Sequence, residues 1–260
     1  MLPTLSSQTV VLFLLVFSRI ASLVATLPIT GSSDVPATIR AGLAFFMSVI
    51  VVFFAGTKYH PVPEGVGPVA LACAGEVFVG LLMGFSVMAV MEAVNLAGNM
   101  IGFQMGLTIA NVIDPNTGAQ ISIIANYQTL LAGMIFLVSG LYQKFVAGII
   151  RSFEILGPGM VTVRFGGMKE FITMGGEIFS QAVSIGAPLI VVLLLANVGM
   201  GLMARTFPQM NVFFIGFPVT IGLGLLFLAL STPFVFSAIV YCLEGSERHF
   251  WALLRASMPG

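Results

Sequence analysis

Six stretches of this chain are long and apolar enough to cross a lipid bilayer: about 8–27, 38–56, 69–91, 121–143, 178–204 and 212–242. A helical span takes roughly 20 apolar residues. Inside lipid, every backbone N–H and C=O must be satisfied by helix or closed barrel. No segment alternates apolar and polar residues as a barrel strand would. The expectation is therefore an all-α membrane protein. Charge agrees, since only 8% of the 260 residues are charged, against about 25% in a soluble domain. Lys and Arg total 10 and Asp and Glu total 10, so no net field draws the chain to nucleic acid.

The first apolar run resembles a secretory leader, but no basic residue precedes it and Arg19 sits within it. A retained first helix is expected. The breaks "LPITGSSDVPATIR" (27–40) and "GTKYHPVPEGVGP" (56–68) are rich in turn residues, and 144–177 reads as the longest polar connection. Pro188 and Pro218 are candidate helix breaks. If all six stretches span, seven basic residues fall on the side of the N-terminus and two on the other. The positive-inside rule then makes the N-terminal side cytoplasmic.

The densest polar group is "MEAVNLAGNMIGFQMGLTIANVIDPNTGAQ", 91–120. Helical spacing puts Glu92, Asn95, Asn99, Gly102 and Gly106 on one face, and Gly98, Gly102 and Gly106 make overlapping GxxxG motifs. A second row, Ala72, Glu76, Gly80 and Gly84, repeats the design. Small residues let another backbone approach, and carboxylates in a span face protein or a water-filled cavity. Glu76, Gly80, Gly84, Glu92, Asn95, Gly98, Asn99 and Gly102 are the candidate helix-packing seam. Its partner is either this chain's own helices or another subunit. Beyond Gly106, the residues Asn111, Asp114, Pro115, Asn116 and Gly118 form a turn-rich segment.

Catalytic patterns are missing. The two histidines, His60 and His249, have no neighbour at HExxH spacing, and neither a GxSxG elbow nor a Walker A lysine occurs. Cys73 and Cys242 lie far apart within apolar runs, where thiols behave as small hydrophobes. No enzyme activity, cofactor or metal is expected. A small secondary transporter remains an alternative, because broken helices near the midplane are a transporter feature.

Several of these segments occur together and in order in one family. "PATIRAGLAF" (36–45), "EVFVGLLMGF" (76–85), "AVNLAGNMIGFQMGLTIANVIDP" (93–115), "RSFEILGPG" (151–159) and "ANVGMGLMARTFPQMNVFFIGFPV" (196–219) resemble the FliR/SctT family of type III secretion export-gate membrane proteins, in its flagellar FliR branch. The resemblance covers nearly the whole chain. One departure is "SGLYQKFV" (139–146), where a histidine often found in the family is missing.

The resemblance implies a FliP-like helical half over 1–176 and a FliQ-like two-helix hairpin with C-terminal tail over 177–260. It implies a non-enzymatic pore component of the flagellar gate, in the bacterial inner membrane at the flagellar basal body. Its partners would be FliP-like and FliQ-like subunits, FlhB-like and FlhA-like export proteins, lipid and the unfolded protein chains being exported. The virulence type III gate is the alternative with different cargo. A loop over about 104–118 would help plug the closed pore, and the gate residues would be Phe103, Gln104, Met105, Gly106, Leu107, Ile109, Asn111, Asp114, Pro115 and Gly118. The hairpin turn and assembly residues would be Arg205, Pro208, Gln209, Asn211, Gly216 and Pro218. On the family arrangement this turn lies near the cytoplasmic entrance, opposite to the positive-inside count.

Overall fold

The structure, a computed structural model, describes residues 7–28, 30–31, 35–55, 62–107, 122–160, 166–207, 209 and 211–256, with the side chains of 54–55, 166–170, 212–213 and 256 excepted. The described residues form seven helices: α1 (Ser7–Thr26), α2 (Ala37–Ala55), α3 (Val66–Gln104), α4 (Ile123–Val138), α5 (Leu141–Ile155), α6 (Gly166–Thr206) and α7 (Val212–Ala256). The all-α membrane expectation is met. Four helices are long and apolar enough to cross a bilayer: α1, α3, α6 and α7.

Three corrections to the sequence reading follow. The stretch 121–143 is not one straight span, because α4 and α5 meet at an angle of 65°. Gly140 makes that break with a φ of 75°, a left-handed conformation that glycine adopts without steric cost. Next, 144–177 is largely helical: α5 runs to Ile155 and α6 starts at Gly166. Lys144, Arg151 and Glu154 are exposed positions of α5, which charge counting alone read as part of a connection. Finally, Pro188 and Pro218 interrupt nothing, since both lie inside continuous helices, as does Pro233. Neighbouring helices and local adjustment satisfy the backbone groups that proline frees in membrane helices. The count of basic residues on two sides assumed six simple spans, so its premise no longer holds.

The long helices also outrun the bilayer. α3, with 39 residues, is about 58 Å long at 1.5 Å per residue, nearly twice a hydrocarbon core of about 30 Å. It therefore continues without a break from the apolar stretch at 69–91 into the polar row that starts at Glu92.

The chain divides into two compact units. One comprises 1–89, 139–176 and 243–260, the other 90–138 and 177–242. In the first, Leu15, Val16, Ile20, Val79, Met83, Ile149 and Phe153 are fully buried. Ring contacts extend this core: Phe145 meets Phe250 edge-on with centroids 5.5 Å apart. In the second unit, Ile101, Met105, Ile124, Leu189 and Leu193 form a buried cluster, flanked by Leu107, Ile190, Ile221, Phe227 and Leu228.

Candidate functional site

In the first unit, a buried ion pair joins α1, α3 and the end of α5. Arg19 Nε donates to Glu76 Oε2 at 2.5 Å, and both side chains are completely buried. The guanidinium uses its other donors on the C-terminus of α5. Nη1 donates to Ser152 O at 3.2 Å and Ser152 Oγ at 3.3 Å, and Nη2 donates to Leu156 O at 3.0 Å. The last carbonyls of a helix lack intrahelical donors and carry the negative end of its dipole, so a cation suits them. The guanidinium also lies 4.3 Å from the Phe153 ring centroid, within cation–π range. The second carboxylate oxygen, Glu76 Oε1, accepts the Gly159 N–H at 2.8 Å. Gly159 has a φ of 81° and lies against Pro63 and Leu15, closing the turn that "LGPG" makes after α5.

Glycines bring α3 onto α1 beside this pair. A Cβ on Gly80 would collide with the Arg19 carbonyl oxygen and the Ser22 hydroxyl. One on Gly84 would collide with the Thr26 side chain. The hydroxyls trapped there bond back into α1: Ser22 Oγ donates to Arg19 O at 2.9 Å and Thr26 Oγ1 to Leu23 O at 2.9 Å. The face holding Glu76, Gly80 and Gly84 is thus occupied by this chain's own first helix.

In the second unit, α3 packs on α4 in the same manner. Gly98 meets the Ala125 backbone and Gly102 meets Ser122 Oγ, where added Cβ atoms would clash. Asn95 Nδ2 donates to Thr129 Oγ1 at 3.4 Å, and Asn99 Nδ2 donates to Asn95 Oδ1 at 2.9 Å. The predicted row splits here. Gly98 and Gly102 are buried, whereas Glu92 and Asn99 are exposed.

α3 ends in a paired cap. Leu107 N donates to Gly102 O at 3.1 Å and Gly106 N to Phe103 O at 3.0 Å, with Gly106 at a φ of 79°. This is the Schellman pattern, with Gly106 as the left-handed residue. The cap rests on α7. Met105 is fully buried and packs over Gly224, Gly106 lies under the Phe217 ring, and Thr220 Oγ1 donates to Met105 O at 3.1 Å.

Of the residues predicted for the pore loop, Gln104 and Leu107 are half-buried, Met105 is buried and Phe103 is 73% exposed. Ile109, Asn111, Asp114, Pro115 and Gly118 lie outside the described residues. Of the hairpin residues, Arg205, Gln209, Asn211 and Pro218 are exposed, Gly216 is buried against Met200, and Pro208 lies outside the described residues. Sequence reasoning missed the roles of Arg19, Ser152, Thr220 and Gly224. Arg19 alone carried a readable signal: a charge inside an apolar span calls for a carboxylate.

Together these features define an all-helical integral membrane protein in which the buried Arg19–Glu76 pair ties three segments of the chain together. The family described as bacterial export proteins, family 1, matches residues 10–245, and the chain belongs to it. It is similar to the flagellar biosynthetic protein FliR of Bacillus subtilis (strain 168), 35% identical over 230 residues that cover 87% of this chain and 88% of that protein. The FliR of Aquifex aeolicus (strain VF5) is 31% identical, with 88% of each chain covered. The surface presentation of antigens protein SpaR of Shigella flexneri is 27% identical over 236 residues, 90% of each chain.

Proposed function

We propose that the chain is a structural pore component of the flagellar type III export gate in the bacterial inner membrane, where unfolded flagellar subunits pass through. The similarity to FliR proteins over 84–88% of the chain supports this reading most directly. The gate would be completed by FliP-like and FliQ-like subunits, next to FlhB-like and FlhA-like proteins. On this reading, 1–176 is the FliP-like half and 177–260 the FliQ-like hairpin and tail, with Arg205, Gln209 and Asn211 at the turn meeting neighbouring subunits.

The loop from about 104 to 118 is the plug of the closed pore. Apolar Phe103, Met105, Leu107 and Ile109 are suited to hold back water and ions by dewetting, and flexible Met side chains repack around varied partners. The residues that begin it are held on α7 by Thr220 and Gly224, an arrangement that suits a plug with a fixed base. No step of this function calls for bond-making chemistry by the chain.

Deleting the gene should abolish filament assembly, and the tagged protein should co-purify with FliP-like and FliQ-like chains. Isolation of a lone monomer with full transport activity would overturn the proposal. Shortening 107–117 should raise ion leakage in cells carrying the complete gate, and unchanged conductance would remove the plug. The similarity to SpaR supports a second reading, the corresponding subunit of a virulence secretion system. Flagellar or injectisome genes beside this one decide between them.

A further inference from the structure

Among the described residues, every buried polar or charged side chain but one has a hydrogen-bond partner within the chain. The exception is Gln128 of α4, only 1% exposed, whose Oε1 and Nε2 both lack a partner. Exchanging the two amide atoms would satisfy neither. Thr129, the next residue of α4, does have one, since it accepts from the Asn95 amide of α3. A primary amide carries two N–H donors and an oxygen with two lone pairs. Protein interiors seldom leave such a group unbonded, because its desolvation is then uncompensated.

Gln128 does not face packed side chains. It lines a cavity of about 10 Å³ between α4 and α7, together with Thr232, Leu131, Leu228, Val235 and Ile239. Both helices contribute these residues from within the second compact unit. The rings of Tyr127 and Phe236, both exposed, also border it. Thr232 Oγ1 donates to Leu228 O at 2.9 Å, so its proton is spent inside α7 while its lone pairs stay free to accept. The cavity thus meets one amide with unspent donors and acceptor, and one hydroxyl that can accept.

We propose that Gln128 and Thr232 hold a single buried water between α4 and α7. Size selects the occupant, since one water needs roughly 10–15 Å³ and a larger molecule does not fit. Charge agrees, because no carboxylate lines the cavity to balance a cation. The water accepts from the Gln128 amide and gives its two protons to Gln128 Oε1 and Thr232 Oγ1. That makes three hydrogen bonds, the usual number for a buried water. α7 is then tied to the rest of its unit at two polar points: Thr220 bonds Met105 O directly, and Thr232, twelve residues on, reaches α4 through the water.

The test takes the full chain, extracted in detergent together with any chains bound to it, through brief X-ray radiolysis and mass spectrometry. Radicals formed from a bound water oxidise the side chains beside it even where bulk solvent does not reach. Val235 and Ile239, both buried beside the cavity, should be oxidised severalfold more than Leu189 and Leu193, which are as buried but lie in an apolar cluster. Gln128→Leu should bring Val235 and Ile239 down to the level of those leucines. Oxidation of Val235 and Ile239 no greater than that of the leucines in the wild-type chain overturns the proposal. A second measurement uses the near-isosteric Thr232→Val. It should lower the thermal midpoint in the wild-type background and do so distinctly less in Gln128→Leu, where the water has already gone. The two side chains are not bonded to each other directly, so equal shifts in both backgrounds also overturn it.

Discussion

Arg19 and Glu76 form a salt bridge with no exposed atom on either side chain. Their contact spans three segments, because the same guanidinium holds two carbonyls at the end of α5. Removing one member leaves the other charged and buried, which costs about 3–5 kcal/mol. Glu76→Gln or Arg19→Met alone should sharply lower the thermal stability of the detergent-extracted protein. The double variant Arg19→Met/Glu76→Leu should recover most of it, since a well-packed apolar pair can match a buried ion pair. Equal loss in single and double variants would contradict the assigned geometry.

Glycines of similar appearance should differ in tolerance. Gly80→Val drives a side chain into the Arg19 carbonyl, and overpacking of this kind costs about 1–3 kcal/mol. Gly133, in the interior of α4, has nothing within 4 Å of an added Cβ. Gly133→Ala should be neutral or stabilising by up to about 1 kcal/mol through helix propensity. Midpoints of thermal denaturation, compared for the two variants, give the answer.

The cap at the end of α3 depends on Gly106. Gly106→Ala places a Cβ in the left-handed region, at about 1–2 kcal/mol, and 2.7 Å from the Phe217 ring. Thr220→Val removes the donor to Met105 O, a loss of about 1 kcal/mol. Both should speed hydrogen exchange in peptides covering 101–107 while leaving α1 unchanged. If the loop that follows is the plug, the same variants should raise ion leakage.

The turn between α6 and α7 should behave as surface. Arg205, Gln209 and Asn211 are exposed, so Arg205→Ala and Gln209→Ala should change the stability of the chain by no more than about 0.5 kcal/mol. Any loss of motility in these variants, with normal chain levels on immunoblot, would then arise in contacts to other molecules.

The outline of the fold was legible because lipid leaves so few choices. Long apolar runs without alternation have to be helices, and they are. Boundaries were less legible where apolarity and helicity part company. α3 goes on well past the apolar stretch that announced it, because Asn95 and Asn99 find hydrogen bonds and Gly98 and Gly102 find α4. α5 was hidden in a run read as polar connection, although its inward positions Phe145, Ile149 and Phe153 are buried. Pro188 and Pro218 suggested breaks by a local rule, and the surrounding helices overrode it.

The seam glycines could be picked out from their spacing, but not what lies against them. Gly80 and Gly98 belong to the same helix, yet one approaches α1 and the other α4. Spacing defines a face, and only the path of the rest of the chain determines its neighbour.

The sequence by itself determined that this is an all-helical membrane protein, where its small and polar residues lie along each helix, and which family its segments resemble. The tertiary structure decided which charges are consumed inside the chain. Arg19 and Glu76 are separated by 57 residues, and nothing local links them. They pair because glycines let α1 and α3 approach closely enough for a desolvated guanidinium to meet a desolvated carboxylate. Glu92, on the same helix, is turned away from such a neighbour and keeps its charge on the surface.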